Sequence, residues 1–125
     1  MNKTNLSSNS KSSNFDQEKY LYLTTRGRKT GRPREIEIWF THHEDCFYVI
    51  AEYATSNWVK NVQADRAVQV RVAGKNFAAQ AKVLQPDSNP ELVKTVQNLS
   101  NKKYGWGDGL VVQLAPPNHR FAFQS

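Results

Sequence analysis

The chain has 125 residues, is 38% hydrophobic and carries a formal net charge of +6. That length fits one domain of ~100–150 residues, large enough to bury a core without disulfide or metal staples. The longest apolar run, Cys46 to Ala51, is six residues against the ~20 of a membrane-spanning helix. The N-terminal stretch lacks the apolar core of a secretory leader, and the lone Cys46 excludes an internal disulfide or multi-cysteine zinc site. A cytoplasmic protein with no transmembrane segment is the expectation.

Residues 1–14 are Ser/Asn-rich, with too little apolar surface to offset ordering entropy, which predicts a disordered tail before a single domain over 15–125. Tyr20 to Thr25 alternates Leu21 and Leu23 against Tyr20, Tyr22 and Thr24, the period of a strand. Next comes Arg26-Gly27-Arg28-Lys29-Thr30-Gly31-Arg32-Pro33, whose glycines and proline predict a hairpin loop.

This loop accounts for the net charge. Residues 19–34 hold Lys19, Arg26, Arg28, Lys29, Arg32 and Arg34 with no acid, whereas the segments on either side are each neutral. A concentrated basic segment on a neutral body reads as a local anion site rather than a diffuse polyanion surface. Glycines bring backbone N–H groups close to a ligand, and guanidinium forks match phosphate geometry. A solvated basic turn is the plainer reading of such a loop seen alone.

Arg34 to His42 resumes the strand pattern, with Ile36, Ile38 and Phe40 on one face and Glu35, Glu37, Trp39 and Thr41 on the other. Glu35 and Glu37 are expected to balance the neighbouring arginines. Cys46 to Tyr53 is a third strand. Ser56 or Asn57 caps a helix through about Ala64, with Trp58 and Val62 on its core face and Asn61 placed to reach a ligand at the first turn. Val68 to Val72 and Phe77 to Val83 form a hairpin around Gly74.

A second helix starts at Ser88-Asn89-Pro90-Glu91, where Glu91 is placed for a capping box, and Leu92, Val96 and Leu99 follow at helical spacing. Lys103-Tyr104-Gly105-Trp106-Gly107 predicts a mobile loop carrying flat side chains able to cover a planar ring. Leu110 to Ala115 is the last core strand, and Phe121 and Phe123 suggest a short tail strand. His42, His43 and His119 lack metal-ligand spacing with carboxylates, so no metal is expected, and Cys46 reads as packing. The sum is mainly β with two helices (α+β), six antiparallel strands forming a small barrel. No G-x-G-x-x-G or Walker loop is present.

Three segments together carry a family resemblance. Leu23-Thr24-Thr25-Arg26-Gly27-Arg28-Lys29-Thr30-Gly31-Arg32-Pro33-Arg34 resembles the L-T-T-x-G-R-[KR]-[ST]-G-x-P-R signature of the deazaflavin-dependent nitroreductase family. Trp58-Val59-Lys60-Asn61-Val62-Gln63-Ala64-Asp65 is similar to its W-x-x-N-[LV]-x-A-[ND] helix. The third segment, Val68 to Val72 with the Gly74 turn and Phe77, is similar to the hairpin that follows the family's helix. The resemblance implies an FMN-binding-like split β-barrel of the flavin-reductase or pyridoxamine-phosphate-oxidase type, usually a homodimer. It implies coenzyme F420, with FMN as the alternative, and reduction of a quinone, nitro or similar small acceptor.

By the same resemblance, Arg28, Lys29, Thr30 and Arg34 are phosphate-side cofactor ligands, Asn61 is the helix contact and Trp39 lies beside the ring system. Tyr104 and Trp106 fall on the substrate side. Tyr104 is the one candidate proton donor, and no catalytic residue is assigned. Two departures stand out. Only Glu52-Tyr53-Ala54-Thr55-Ser56-Asn57 fills the place of a longer Ser-Lys-Gly-Gly-type loop, and the strand after the basic loop lacks an Asn-Pro pair. The short loop keeps open a non-catalytic binder of a flavin, haem or lipid on the same barrel. A nucleic-acid module, which would need basic charge from several elements, is disfavoured.

Overall fold

The computed structural model describes residues 15–117. The expected tail at 1–14, the tail strand at Phe121 and Phe123, and His119 lie outside the described residues. After a helical turn at residues 15–17 come β1 (Tyr20–Arg26), β2 (Pro33–Trp39), β3 (Thr41–His43), β4 (Cys46–Ala51), α1 (Asn57–Ala64), β5 (Ala67–Val72), β6 (Lys75–Leu84), α2 (Pro90–Tyr104) and β7 (Leu110–Ala115). The strands form one antiparallel sheet in the order β2-β1-β5-β6-β7-β4-β3.

The described sheet has seven strands rather than six, because the stretch expected from Arg34 to His42 breaks at Phe40. β2 pairs with β1 at one end of the sheet, and β3 pairs with β4 at the other. The chain crosses between the two edges at Phe40, so the sheet curls until β2 meets β4 and closes as a split barrel.

A residue leaving both ladders needs other partners for its main chain. The Phe40 N–H donates to the Tyr104 hydroxyl at 3.1 Å, and the Phe40 carbonyl accepts from that hydroxyl at 2.8 Å and from the Lys103 ammonium at 3.2 Å. The Lys19 carbonyl is also 2.8 Å from the hydroxyl, whose single hydrogen serves one carbonyl at a time.

The core has two compartments. Leu21, Leu23, Phe40, Phe47, Val70, Val112 and Leu114 belong to the barrel interior, while Val93 and Val96 of α2 cluster with Tyr48, Leu84 and Val111 of the sheet. β4 and β7 contribute to both, which is why Cys46 to Ala51 reads as a continuous apolar run rather than an alternation. Two tight turns, Glu44-Asp45 and Ala73-Gly74, hold positive φ at both positions, the geometry that suits two-residue hairpins.

The second helix starts one residue later than the capping-box reading required. Asn89 is its N-cap, without a side-chain cap bond, which puts Glu91 too early in the first turn to reach back. Its most buried positions are Val93, Val96 and Ser100, with Leu92 and Leu99 on the margins. Among the described residues no helix is long and apolar enough to cross a membrane.

Candidate functional site

The basic loop is a tight turn that closes on itself. The Gly27 N–H donates to the Arg32 carbonyl at 2.8 Å and the Gly31 N–H to the Gly27 carbonyl at 2.7 Å. The Thr30 hydroxyl accepts the Arg32 N–H at 3.1 Å. Gly31 adopts φ +76°, a left-handed conformation that L side chains rarely take. A Cβ on Gly27 would sit 3.1 Å from the Thr30 hydroxyl and 3.2 Å from the Arg32 carbonyl, so both glycines are matched to the turn.

Arg28 is anchored to α1. Its guanidinium donates to the Asn61 carboxamide oxygen at 2.8 Å, its main-chain N–H reaches the same oxygen at 3.2 Å, and its second amino group approaches Asn57 at 3.4 Å. Asn61 is 4% exposed, and its amide nitrogen donates to the buried Thr25 hydroxyl at 3.1 Å. Two of the residues singled out from separate motifs are thus one network, with Asn61 standing behind Arg28.

The acids of β2 do not neutralise the loop. Glu35 pairs with Arg71 at 3.1 Å, and Glu37 accepts from the Tyr22 hydroxyl at 2.6 Å, which holds that phenol above its ordinary pKa. Arg26 pairs with Asp65 at 3.3 Å. The side chains of Lys29, Arg32 and Arg34 are exposed and make no hydrogen bond or ion pair among the described residues. Cross-strand register explains the outcome: Glu37 faces Tyr22 across the ladder, and Tyr22 faces Arg71.

On the other side of the first turn of α1 lies a cleft of about 570 Å³. All three tryptophans of the chain, Trp39, Trp58 and Trp106, line it, with Ile38 and Ile50 between them and Glu37, Glu52 and Tyr53 at its walls. Such a volume and apolar lining are typical of small-molecule sites. Trp39 is 36% exposed, and its other neighbour is Tyr104, stacked at 4.5 Å with the planes 5° apart.

The structure gives Tyr104 a fixed place. Its hydroxyl sits on main-chain atoms of Phe40 and Lys19, and burial pushes its pKa up to about 12 against a smaller opposing effect of the Phe40 hydrogen bond. The segment after it is tied down rather than mobile. Gly105 ends α2 in the left-handed conformation, Ser100 donates to the Trp106 carbonyl at 2.6 Å, and Gln97 donates to the Gly109 carbonyl at 3.3 Å. Gly107 packs so closely on Gln97 that an added Cβ would lie 2.4 Å from its carbonyl oxygen.

Trp58 was readable only as core. It does pack against the barrel interior, yet it is half-buried and its remaining surface faces the cleft. Helical spacing grouped it with Val62 and gave no sign of the second surface. The histidines fall on opposite faces of β3, His42 against Phe15 and Phe47 and His43 against Tyr48.

The split barrel thus carries an anchored basic turn and an aromatic cleft, both built in part by α1. Over residues 3–108 the chain matches the model of the F420H(2)-dependent quinone reductase family, and it belongs to that family. It is 30% identical over 70 residues to the F420H(2)-dependent quinone reductase Rv1261c of Mycobacterium tuberculosis, a match covering 53% of this chain and 47% of that one. The chain therefore spans about half the length of the curated relatives it matches.

Among solved structures it is similar in fold to HutZ, the heme storage protein from Vibrio cholerae, at TM-score 0.71 and 18% identity, covering 88% of this chain and 89% of that one. It is also similar in fold to the F420-H2 dependent reductase FDR-A, at TM-score 0.60 and 19% identity, covering 77% and 93%.

Proposed function

We propose that this chain binds coenzyme F420, with FMN as the alternative, and uses the reduced cofactor to reduce a quinone, nitro or similar small acceptor. The observation that carries this reading is the N-terminal half of α1 with its cap. Asn57 and Asn61 hold Arg28 of the basic turn, while Ser56 and Trp58 face the aromatic cleft. An anion site and a site for a flat ring therefore adjoin across one helical turn.

The residues present fit such a group at both ends. Lys29, Thr30 and Arg34 offer phosphate-side contacts, with charge that no acid among the described residues offsets. The tryptophans offer flat apolar surface for a ring. When bound, the reduced cofactor supplies the hydride. The protein's part is to bind, orient and exclude water, with Asn61 fixing Arg28 and Tyr104 fixing Trp39. The hydrogen bonds of Tyr104 favour a positioning role over proton donation. A homodimer in the cytoplasm completes the reading.

The short Glu52–Asn57 segment supports a second reading, a non-catalytic binder of flavin, haem or lipid on the same barrel. Steady-state oxidation of F420H2 in the presence of quinone and nitroaromatic acceptors separates the two. Acceptor-dependent turnover supports the reductase, and cofactor binding without turnover across both acceptor classes overturns it in favour of the binder.

A further inference from the structure

The aromatic cleft has a neighbour. A second cavity of about 660 Å³ adjoins it, with Phe15, Tyr22, Val72 and Ala73 in its lining. The boundary follows the ladder between β1 and β2. Tyr22 lines the second cavity, and its cross-strand partner Glu37 lines the cleft. Two residues along, Tyr20 faces Trp39, and Tyr20 alone lines both cavities.

The two tyrosines of this wall are held differently. Tyr22 is fixed: its hydroxyl donates to Glu37 at 2.6 Å, and Arg71, paired with Glu35, lies 4.2 Å from its ring centroid. The Tyr20 ring has the Lys19 ammonium 5.6 Å from its centroid, and its hydroxyl makes no hydrogen bond among the described residues. Shortening Tyr20 therefore strands no hydrogen-bond partner.

The place of Tyr20 in the cleft follows from the chain. β1 runs Tyr20–Arg26, so at ~3.3 Å per residue its Tyr20 end is about 20 Å from the basic turn. Trp58 instead stands on the helix that holds Arg28. A cofactor anchored by its anionic end in the basic turn brings its ring to the tryptophans from the Trp58 side. The end formed by Tyr20 and Trp39 is left for the acceptor.

We propose that Tyr20 is a specificity-determining residue of the acceptor site. Its ring closes the cleft toward the second cavity, so the site favours a compact quinone over one with a bulky ring substituent. This deepens the quinone-reductase reading and rests on it for the identity of the acceptor. The restriction is steric: the ring of Tyr20 imposes it and the hydroxyl does not.

The test is calorimetric titration of the full chain with 2,3-dimethyl-1,4-naphthoquinone and with 2-benzyl-3-methyl-1,4-naphthoquinone. Neither leaves a quinone-ring position open to addition by the Cys46 thiol. Oxidised F420 is present, so that the cofactor's place is filled and no hydride moves, and the series is repeated without it. In the wild type the benzyl compound should bind no tighter than the dimethyl one. Tyr20→Ala should raise the benzyl-to-dimethyl affinity ratio by roughly tenfold, the scale of burying one aryl group. Tyr20→Phe should keep the wild-type ratio. Lys75→Trp, which narrows the second cavity, should remove the gain when combined with Tyr20→Ala. Circular dichroism confirms folding, and Tyr20→Val, a β-branched replacement suited to a strand, carries the test should Tyr20→Ala disturb β1.

A ratio unmoved by shortening Tyr20, a ratio already high in the wild type, a gain shared by Tyr20→Phe, or a gain that survives Lys75→Trp overturns the proposal. So does the absence of binding by both quinones. F420 titrated on its own keeps the two readings apart. F420 bound with an unmoved ratio overturns only this inference, and a shifted ratio without F420 binding overturns only the cofactor assignment.

Discussion

The guanidinium and the main-chain N–H of Arg28 converge on one atom, the carboxamide oxygen of Asn61, at 2.8 and 3.2 Å. Because Asn61 is buried and its other end holds Thr25, a loop cation is fixed to the barrel through a helix. Removing the carboxamide strands a buried Thr25 hydroxyl and releases Arg28. Asn61→Ala should lower stability by about 1–3 kcal/mol and weaken F420 binding more than Lys29→Ala does. Denaturant unfolding and cofactor titration measure the two effects. Wild-type stability would show that the network contributes nothing.

Tyr104→Phe keeps the ring stacked on Trp39 and deletes the hydroxyl that satisfies the main chain of Phe40. A loss of about 1–3 kcal/mol is expected, since a buried N–H loses its acceptor. Burial pushes the phenol up to about 12 from its ordinary value of 10.0, so its contribution is complete below pH 10.0 and lost as pH rises through about 12. The difference in stability between wild type and variant should therefore shrink over that alkaline window. A difference constant with pH would contradict the assignment.

His42 predicts the opposite dependence. Burial among Phe15 and Phe47 lowers its pKa below 6.5, outweighing the attraction of Asp16 and Asp45. A depressed folded pKa gives stability that is present above 6.5 and lost as pH falls through the folded value. Thermal melts of His42→Phe and wild type should diverge below that pH, with wild type losing more. Parallel melting curves across the acid range would refute it.

Gly109 lies against the end of β4, where an added Cβ would stand 2.1 Å from the Ala51 carbonyl oxygen. Gly109→Ala should destabilise the protein by about 1–3 kcal/mol through overpacking and, by moving the segment that carries Trp106, should alter tryptophan emission. A variant with unchanged melting temperature and unchanged emission would count against this packing.

Much of the barrel was legible because its inward residues alternate: Leu21 and Leu23, Val68 to Val72, and Ala79 and Ala81 are buried as the period requires. The break at Phe40 was not, since its cause is Tyr104, 64 residues later, and nothing local interrupts the alternation. The helix terminus and the resemblance put Asn61 at the site, but neither showed its intramolecular partners. Its burial depends on Thr25 and Arg28, which only the folded chain brings to it. The cleft was legible in part: the resemblance put Trp39 and Trp106 near a ring, whereas Trp58 had an ordinary explanation as core, and the three come from β2, the segment after α2 and α1.

In the proposed function the basic turn and α1 together hold the anionic end of a deazaflavin. Equilibrium titration of F420 and FMN into the wild type, Arg28→Ala and Lys29→Ala tests it most directly. F420 should bind in the micromolar range or tighter, weakened by salt and by either substitution, with the fold intact by circular dichroism. Absence of binding to both cofactors, or affinities that neither substitution changes, would contradict it.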